Sequence, residues 1–186
     1  MRRFATILSV ACLLMTAGNA LAADYGWKLS GSSTDPNANT GAAIGGTPFT
    51  VYLWLDCTNF DGMSACEFSL QTTWFNAGFT PSAALGVLNA GNSTDLLLAV
   101  GGCPMAGSIM GSWVFIDFTG LGASACLVNS PGGENGTVDC DTVDPQIHPN
   151  AVVGYSTDAT PPCTLDLCTT VAVEPSTWGG LKGLYR

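Results

Sequence analysis

Three carboxylates crowd one short stretch of the chain: Asp139, Asp141 and Asp144, preceded by Glu134 and Asn135 in a glycine-bearing loop. Closely spaced side-chain oxygens in such a loop are the ligands a hard cation takes, so these three form the candidate metal site, with calcium the ion they suggest. The spacing is not that of an EF-hand, which wants a glycine and a closing glutamate at fixed positions. The competing reading is a solvated acidic loop stapled through Cys140, and no other cofactor is expected. A serine hydrolase would need a base, and His148, the only histidine, lies between Ile147 and Pro149 in a stretch that reads as a solvated loop. No GxSxG elbow accompanies it. Asp56, Glu67, Asp117 and Glu174 fall on or near apparent strands, but spacing along the chain does not set the separation a glycosidase pair requires. Neither a lysine-bearing phosphate loop nor a dinucleotide fingerprint occurs. These residues predict no catalytic site, and the chain reads as a non-enzyme.

The second chemical signal is sulfur. The chain has eight cysteines, and Cys12 lies in an apolar leader. The rest of the chain then keeps Cys57, Cys66, Cys103, Cys126, Cys140, Cys163 and Cys168. In an exported chain such a set argues for disulfides over zinc, and an odd number leaves at least one thiol free or bonded outside the chain. The pairing is open at this level, although Cys57 with Cys66, across a predicted hairpin neck, and Cys163 with Cys168, across a short loop, are the attractive local pairs.

The leader has the three parts of a secretory signal: basic Arg2 and Arg3, an apolar run from Phe4 to about Ala17, and small residues at Ala20, Ala22 and Ala23. The run is too short and too interrupted by polar residues to span a bilayer. Residues 1–23 are therefore predicted to be a cleaved signal peptide, with the product secreted or on the cell surface of a bacterium and no transmembrane segment in it. Against 14 acidic residues only Lys28, Lys182 and Arg186 then remain basic. A surface of that sign has no route to phosphate backbones or anionic lipid, which excludes nucleic acid and membrane as main partners.

The elements that would carry these residues are strands. Phe49, Val51, Leu53 and Leu55 alternate with polar or partly polar neighbours up to Cys57, and after a turn at Asn59, Asp61 and Gly62 the stretch Cys66 to Trp74 alternates again, which reads as a hairpin. Apolar runs at 84–88, 95–100, 112–118, 124–128, 151–155 and 169–173 are separated by Gly, Pro, Asn and Ser clusters. No stretch sustains helical periodicity, and the nearest candidate is a short turn near Pro81 to Leu85. The expectation is an all-β chain: a single disulfide-stapled antiparallel β-sandwich of about 7–9 strands over residues 47–173. A lead-in segment, 24–46, precedes it and a tail, 174–186, follows. Trp54, Trp74 and Trp113 would stack on sugar rings if exposed, but in a small sandwich they more naturally fill the core.

The run GTPFTVYLWLD, its glycine-bearing turn, ACEFSLQTTW and the later LGVLNAGN, spanning Gly46 to Asn92, resembles the opening of cohesin-like secreted β-sandwich domains, a group akin to carbohydrate-binding modules. The cysteine content departs from that pattern, and no dockerin-type calcium loop is present. The tail, with Trp178, Lys182, Tyr185 and Arg186, resembles a recurring EP(S/T)TWG…LYR terminus of exported bacterial proteins, which implies a sorting or attachment tag; docking of its apolar residues on the sandwich is the alternative. The expected function is a non-catalytic binding module for a protein or carbohydrate at the cell surface. The alternative is a structural subunit of a surface layer or filament, formed by self-assembly.

Overall fold

A computed structural model describes residues 24–42, 44–130 and 136–157. Eleven strands form: β1 (Tyr25–Ser30), β2 (Pro48–Thr58), β3 (Met63–Thr72), β4 (Phe75–Pro81), β5 (Val87–Asn89), β6 (Asp95–Val100), β7 (Ser108–Ile116), β8 (Ser124–Val128), β9 (Gly136–Asp139), β10 (Ile147–Val153) and β11 (Tyr155–Ser156). The only helical piece among the described residues is a 3-10 turn at Ala83–Leu85, where the sequence places its nearest helical candidate. The protein is all-β, as its alternation predicts.

The strand count exceeds the expectation because two lanes of the sheet are interrupted. β8 and β9 lie end to end along one edge of β3, pairing Ser69–Thr72 and Met63–Glu67 respectively. β10 and β11 run along the far side of the same lane, β10 beside β9 and β11 beside β8. Between these two contacts, Asn150 to Val153 swing away and pair with Tyr25 to Lys28 of β1. That pairing is parallel, an exception to the expected antiparallel order. It also makes one ladder of the whole, running β11-β8-β3-β9-β10-β1-β2-β7-β4, with β6 on the other edge of β3 and β5 beyond it.

The ladder folds over on itself at β10, so β1, β2, β7 and β4 form one layer and β3, β6, β5, β8, β9 and β11 the other. A strand that changes sheets at a corner is a standard way to close a sandwich. The alternating apolar faces meet between the layers. Trp27 packs edge-on to Phe68 with ring centroids 5.2 Å apart, and Phe49 meets Trp74 at 5.0 Å. Trp27 Nε1 donates to Thr137 Oγ1, and Trp113 Nε1 donates to the Ser93 carbonyl at 2.8 Å.

Three expectations change. β2 and β3 are strands, but they are not a hairpin: β2 pairs with β1 and β7, β3 with β6, β8 and β9. The turn at Asn59–Gly62 carries the chain from one layer to the other. Cys57 and Cys66 consequently do not bond. Cys66 is a free, buried thiol, Cys103 is bonded to Cys140, and Cys57 and Cys126 are each disulfide-bonded. The predicted Cys163–Cys168 pair, the tail residues Trp178, Lys182, Tyr185 and Arg186, the strand at 169–173 and the signal at 1–23 lie outside the described residues. Finally, composition does not mark where the sandwich begins. Tyr25, Trp27 and Leu29 of the lead-in segment are fully buried, and the loop after them is tied to β11 through Asn39, Gly41 and Ser156.

Two outcomes follow from this core. Trp74 Nε1 is buried with no hydrogen-bond partner among the described residues, a state that already carries a desolvation cost of about 1–3 kcal/mol. Trp74→Phe is therefore expected to lower unfolding stability by less than about 1.5 kcal/mol. Trp113→Phe removes one of the two donors to the Ser93 carbonyl, leaving Asn76 Nδ2, and is expected to lower it by more, about 1.5–3 kcal/mol. Urea denaturation of the two variants checks this, and a larger loss at Trp74 would contradict it. Burial pushes the Cys66 thiol well above its ordinary pKa, so a thiol reagent should leave it unmodified in the native protein and label it once the protein is unfolded without reduction.

Candidate functional site

At one end of the sandwich, where β2 hands over to β3 and β9 to β10, a cleft of about 550 Å³ is lined by Phe60, Asp61, Asp139, Cys140, Asp141, Thr142, Asp144, Gln146 and His148. Its first wall is the inter-layer turn. Thr58 Oγ1 accepts the Phe60 N–H at 3.0 Å, which bends the chain out of β2. Gly62 then takes φ +100°, and the carbonyl oxygens of Cys103 and Pro104 lie 2.8 Å from where a Cβ would stand. Only glycine fits there. The Gly62 carbonyl accepts the Tyr25 hydroxyl at 2.7 Å, so the turn that presents Phe60 and Asp61 is anchored on β1.

The opposite wall is the loop from Cys140 to Gln146, pinned by the Cys103–Cys140 disulfide. Its shape comes from carboxylates that accept backbone N–H groups. Asp139 Oδ1 receives Asp141 at 3.0 Å and Gln146 at 3.3 Å. Asp141 Oδ1 receives Val143 at 2.8 Å and Asp144 at 3.3 Å. The three aspartates picked out as a metal site thus share one turn, and two of them use an oxygen to hold it. Among the described residues no group of three or more His, Cys, Asp or Glu side chains stands where it would hold a metal ion.

His148 forms the floor, and here the sequence reading fails. It is not in a loop: it lies on β10 opposite Thr137 of β9. Its side chain is mostly enclosed. Nδ1 is 3.1 Å from Asp24 Oδ2 and Nε2 is 2.9 Å from Asp139 Oδ2. The ring lies against Phe60 with centroids 4.0 Å apart. A carboxylate only accepts, so His148 bridges Asp24 and Asp139 by donating through whichever ring nitrogen carries hydrogen. The hydrogen bond from His148, reinforced by the N–H groups of Asp141 and Gln146, holds the Asp139 carboxyl below the usual carboxylate range despite its burial. Burial raises the Tyr25 hydroxyl, with the charges of Asp139 and Asp24 acting in the same direction and a hydrogen bond with Thr58 opposing them.

The other carboxylates considered for chemistry are dispersed. Asp56 pairs with Lys28 at 2.9 Å, Glu67 accepts from the Ser130 hydroxyl, and Asp117 closes a loop after β7. None of these three lines the cleft, and Glu174 lies outside the described residues. Trp54, Trp74 and Trp113 are all buried, so none presents a face to a sugar. What sequence reasoning missed is the union of Asp24, Phe60, Asp61 and His148 with the acidic loop. Comparison with protein-family models, with curated proteins and with solved structures gives no match.

A depressed carboxyl pKa sets the sign of a pH dependence. The folded-state value of Asp139 lies below its unfolded value, so its contribution to stability is complete above the unfolded pKa and is lost as pH falls through the folded one. Asp117, lowered by the Thr119 hydroxyl and by the N–H groups of Thr119, Gly120 and Gly122, acts with the same sign. Urea unfolding measured between about pH 6 and about pH 3 should show stability falling toward acid, and Asp139→Asn should flatten that fall. An unchanged slope in the variant would refute this role for Asp139.

Proposed function

We propose that the protein is an exported, non-catalytic binding module whose cleft receives a basic side chain of a protein ligand. The observation that carries this is the charge of the cleft. Asp61, Asp141 and Asp144 are exposed on its rim, Asp139 lies within it, and no lysine or arginine lines it among the described residues. Phe60 adds an aromatic face of the kind that favours a cation. The walls are fixed before any ligand arrives, by the Cys103–Cys140 bond on one side and the glycine-closed turn on the other. Such preorganisation limits the ordering cost of binding.

Other features support the same reading. Disulfides at Cys57, Cys103, Cys126 and Cys140 suit an oxidising compartment, in keeping with the signal-like residues 1–23. No helix among the described residues is long and apolar enough to cross a membrane. Both ring nitrogens of His148 are turned to carboxylates, so neither is directed at a nucleophile. None of the tryptophans Trp27, Trp54, Trp74 and Trp113 is exposed at the cleft to stack on a sugar, which favours a protein ligand there. The cohesin-like cast of Gly46–Asn92 belongs to this proposal as well.

Isothermal titration of the oxidised protein with an oligolysine peptide at about 50 mM salt tests the reading. Asp61→Asn combined with Asp144→Asn should weaken binding at least about fivefold. Asp35→Asn, in the loop at the opposite end of β1, should leave it unchanged. A panel of hexasaccharides should give no saturable heat. Equal loss in all variants, or saturable sugar binding, would reject the proposal.

A further inference from the structure

One half of the first layer's outer surface carries no charge. β2, β4 and β7 together contain a single ionisable acid, Asp56, which lies toward the cleft end of β2 and is neutralised by Lys28 at 2.9 Å. Away from that end the pairing sets three cross-strand rows on the outer surface: Pro48–Ile116–Phe75, Thr50–Val114–Gly78 and Tyr52–Ser112–Thr80. All nine residues are uncharged. Their inward neighbours Phe49, Val51, Trp113 and Phe115 fill the core.

Large apolar side chains crowd the first of these rows. Phe75 is 53% exposed, Phe118 69% and Leu121 84%, and Ile44 and Val114 are exposed beside them. Phe75 and Phe118 touch, with centroids 5.7 Å apart. The loops bearing Ile44 and Phe118 are held together: the Gly46 N–H donates to the Asp117 carbonyl at 2.7 Å, and Gly45 and Gly120 approach so closely that a Cβ on either would press on the other's backbone. The one carboxylate in the neighbourhood, Asp117, is buried and turned inward. It accepts from the N–H groups of Thr119, Gly120 and Gly122 and from the Thr119 hydroxyl. The result is a rigid, neutral, apolar patch on a chain of net charge −9.

We propose that this patch is an interface for a second copy of the same chain, packed face to face across a two-fold axis. Charge selects the occupant. Among the described residues the only lysine, Lys28, is buried in its pair with Asp56, and no arginine occurs. Contact between two copies through the cleft rim would set Asp61, Asp141 and Asp144 against their counterparts. A neutral pleated face is the surface on which identical acidic molecules can meet, and a two-fold interface needs only one such self-complementary patch. The outer face of the second layer is less suited. It offers Leu88 and Ile147 in one uncharged row, but Glu67 stands beside Leu97 in the next.

Geometry also chooses face over edge. β4 ends the ladder, yet its pairing with β7 shifts register between Asn76 and Gly78, and the strand terminates at Pro81. A bulge and a proline are devices that block edge-to-edge growth. Addition of a strand from a second copy to β4 is thereby blocked, which leaves the face as the contact. Its last row, at Tyr52, is about 20 Å along β2 from Thr58, beyond which the cleft lies, so dimerisation does not cover the cleft.

Sedimentation equilibrium of the full protein, purified from its host with disulfides intact, tests this. The wild type should dimerise below about 100 µM, and more tightly as salt rises from about 0.05 M to about 0.5 M, because salt screens the mutual repulsion of two acidic copies. Phe118→Glu and Val114→Lys should each raise the dimer Kd at least about tenfold, with thermal melting of the monomer nearly unchanged. Leu88→Lys and Ile147→Lys should leave the Kd within about twofold. Should either patch variant fail to fold, Thr50→Arg on the same face decides. A protein monomeric throughout, a Kd insensitive to the patch variants, or dissociation by the second-layer variants would overturn the proposal.

Discussion

Strand β1 is enclosed on every side, and the rest of the molecule is arranged around it. Its two edges are taken by β2 and β10, its core face carries Tyr25, Trp27 and Leu29, and its outer face is covered as well, so that all six residues are buried. The cover is the loop from Gly31 to Asn39, whose carbonyls accept from Ser30 Oγ and Trp54 Nε1. Burying Lys28 this way removes its ammonium from water, which is tolerable only because Asp56 lies 2.9 Å away and Asn37 Oδ1 2.6 Å away. A well-bonded buried ion pair adds little net stability, but it fixes which face of β1 turns outward and hence the register of both its neighbours.

The same enclosure assembles the cleft. Asp24 precedes β1 and reaches His148, Tyr25 anchors the inter-layer turn through Gly62, and β10 arrives beside β1 carrying the histidine. Acidic groups then divide into two kinds. Asp117, Asp139 and Asp141 accept from backbone N–H groups and act as internal staples of their turns, while Asp95 accepts the Ser69 hydroxyl between β6 and β3. Asp61 and Asp144 stand at the rim with their carboxylates toward solvent. A chain with many acids and few bases can build its loops this way because a carboxylate needs only nearby N–H groups, not a cation, to be satisfied.

Alternation along the chain made most strands readable, and β6 and β8 lie where their apolar runs indicate. β4 and β9 were not readable for different reasons. FNAGFTP breaks its alternation with a bulge and ends on proline, and GTVD is too short to carry a pattern and exists because β3 offers it an edge. Alternation also reports which residues face inward without reporting which layer they face from, and so β2 and β3 resembled a hairpin. The site was less readable still. Asp24 and His148 are 124 residues apart, and Ile-His-Pro-Asn has the composition of a loop. Its strand character comes from pairing with β9, which no local signal encodes.

The parallel pairing of β1 with β10 has a consequence for the order of events. Tyr25 lies against Asn150, so the earliest described strand acquires its second neighbour only when nearly all the described chain is present. A chain released from a ribosome or threaded through a pore with its N-terminus leading would hold Tyr25, Trp27 and Leu29 without their final shelter for almost the whole passage. High contact order of this kind slows folding. It also keeps an emerging chain loose until its last strands arrive, after which the final step closes the sandwich and the cleft together.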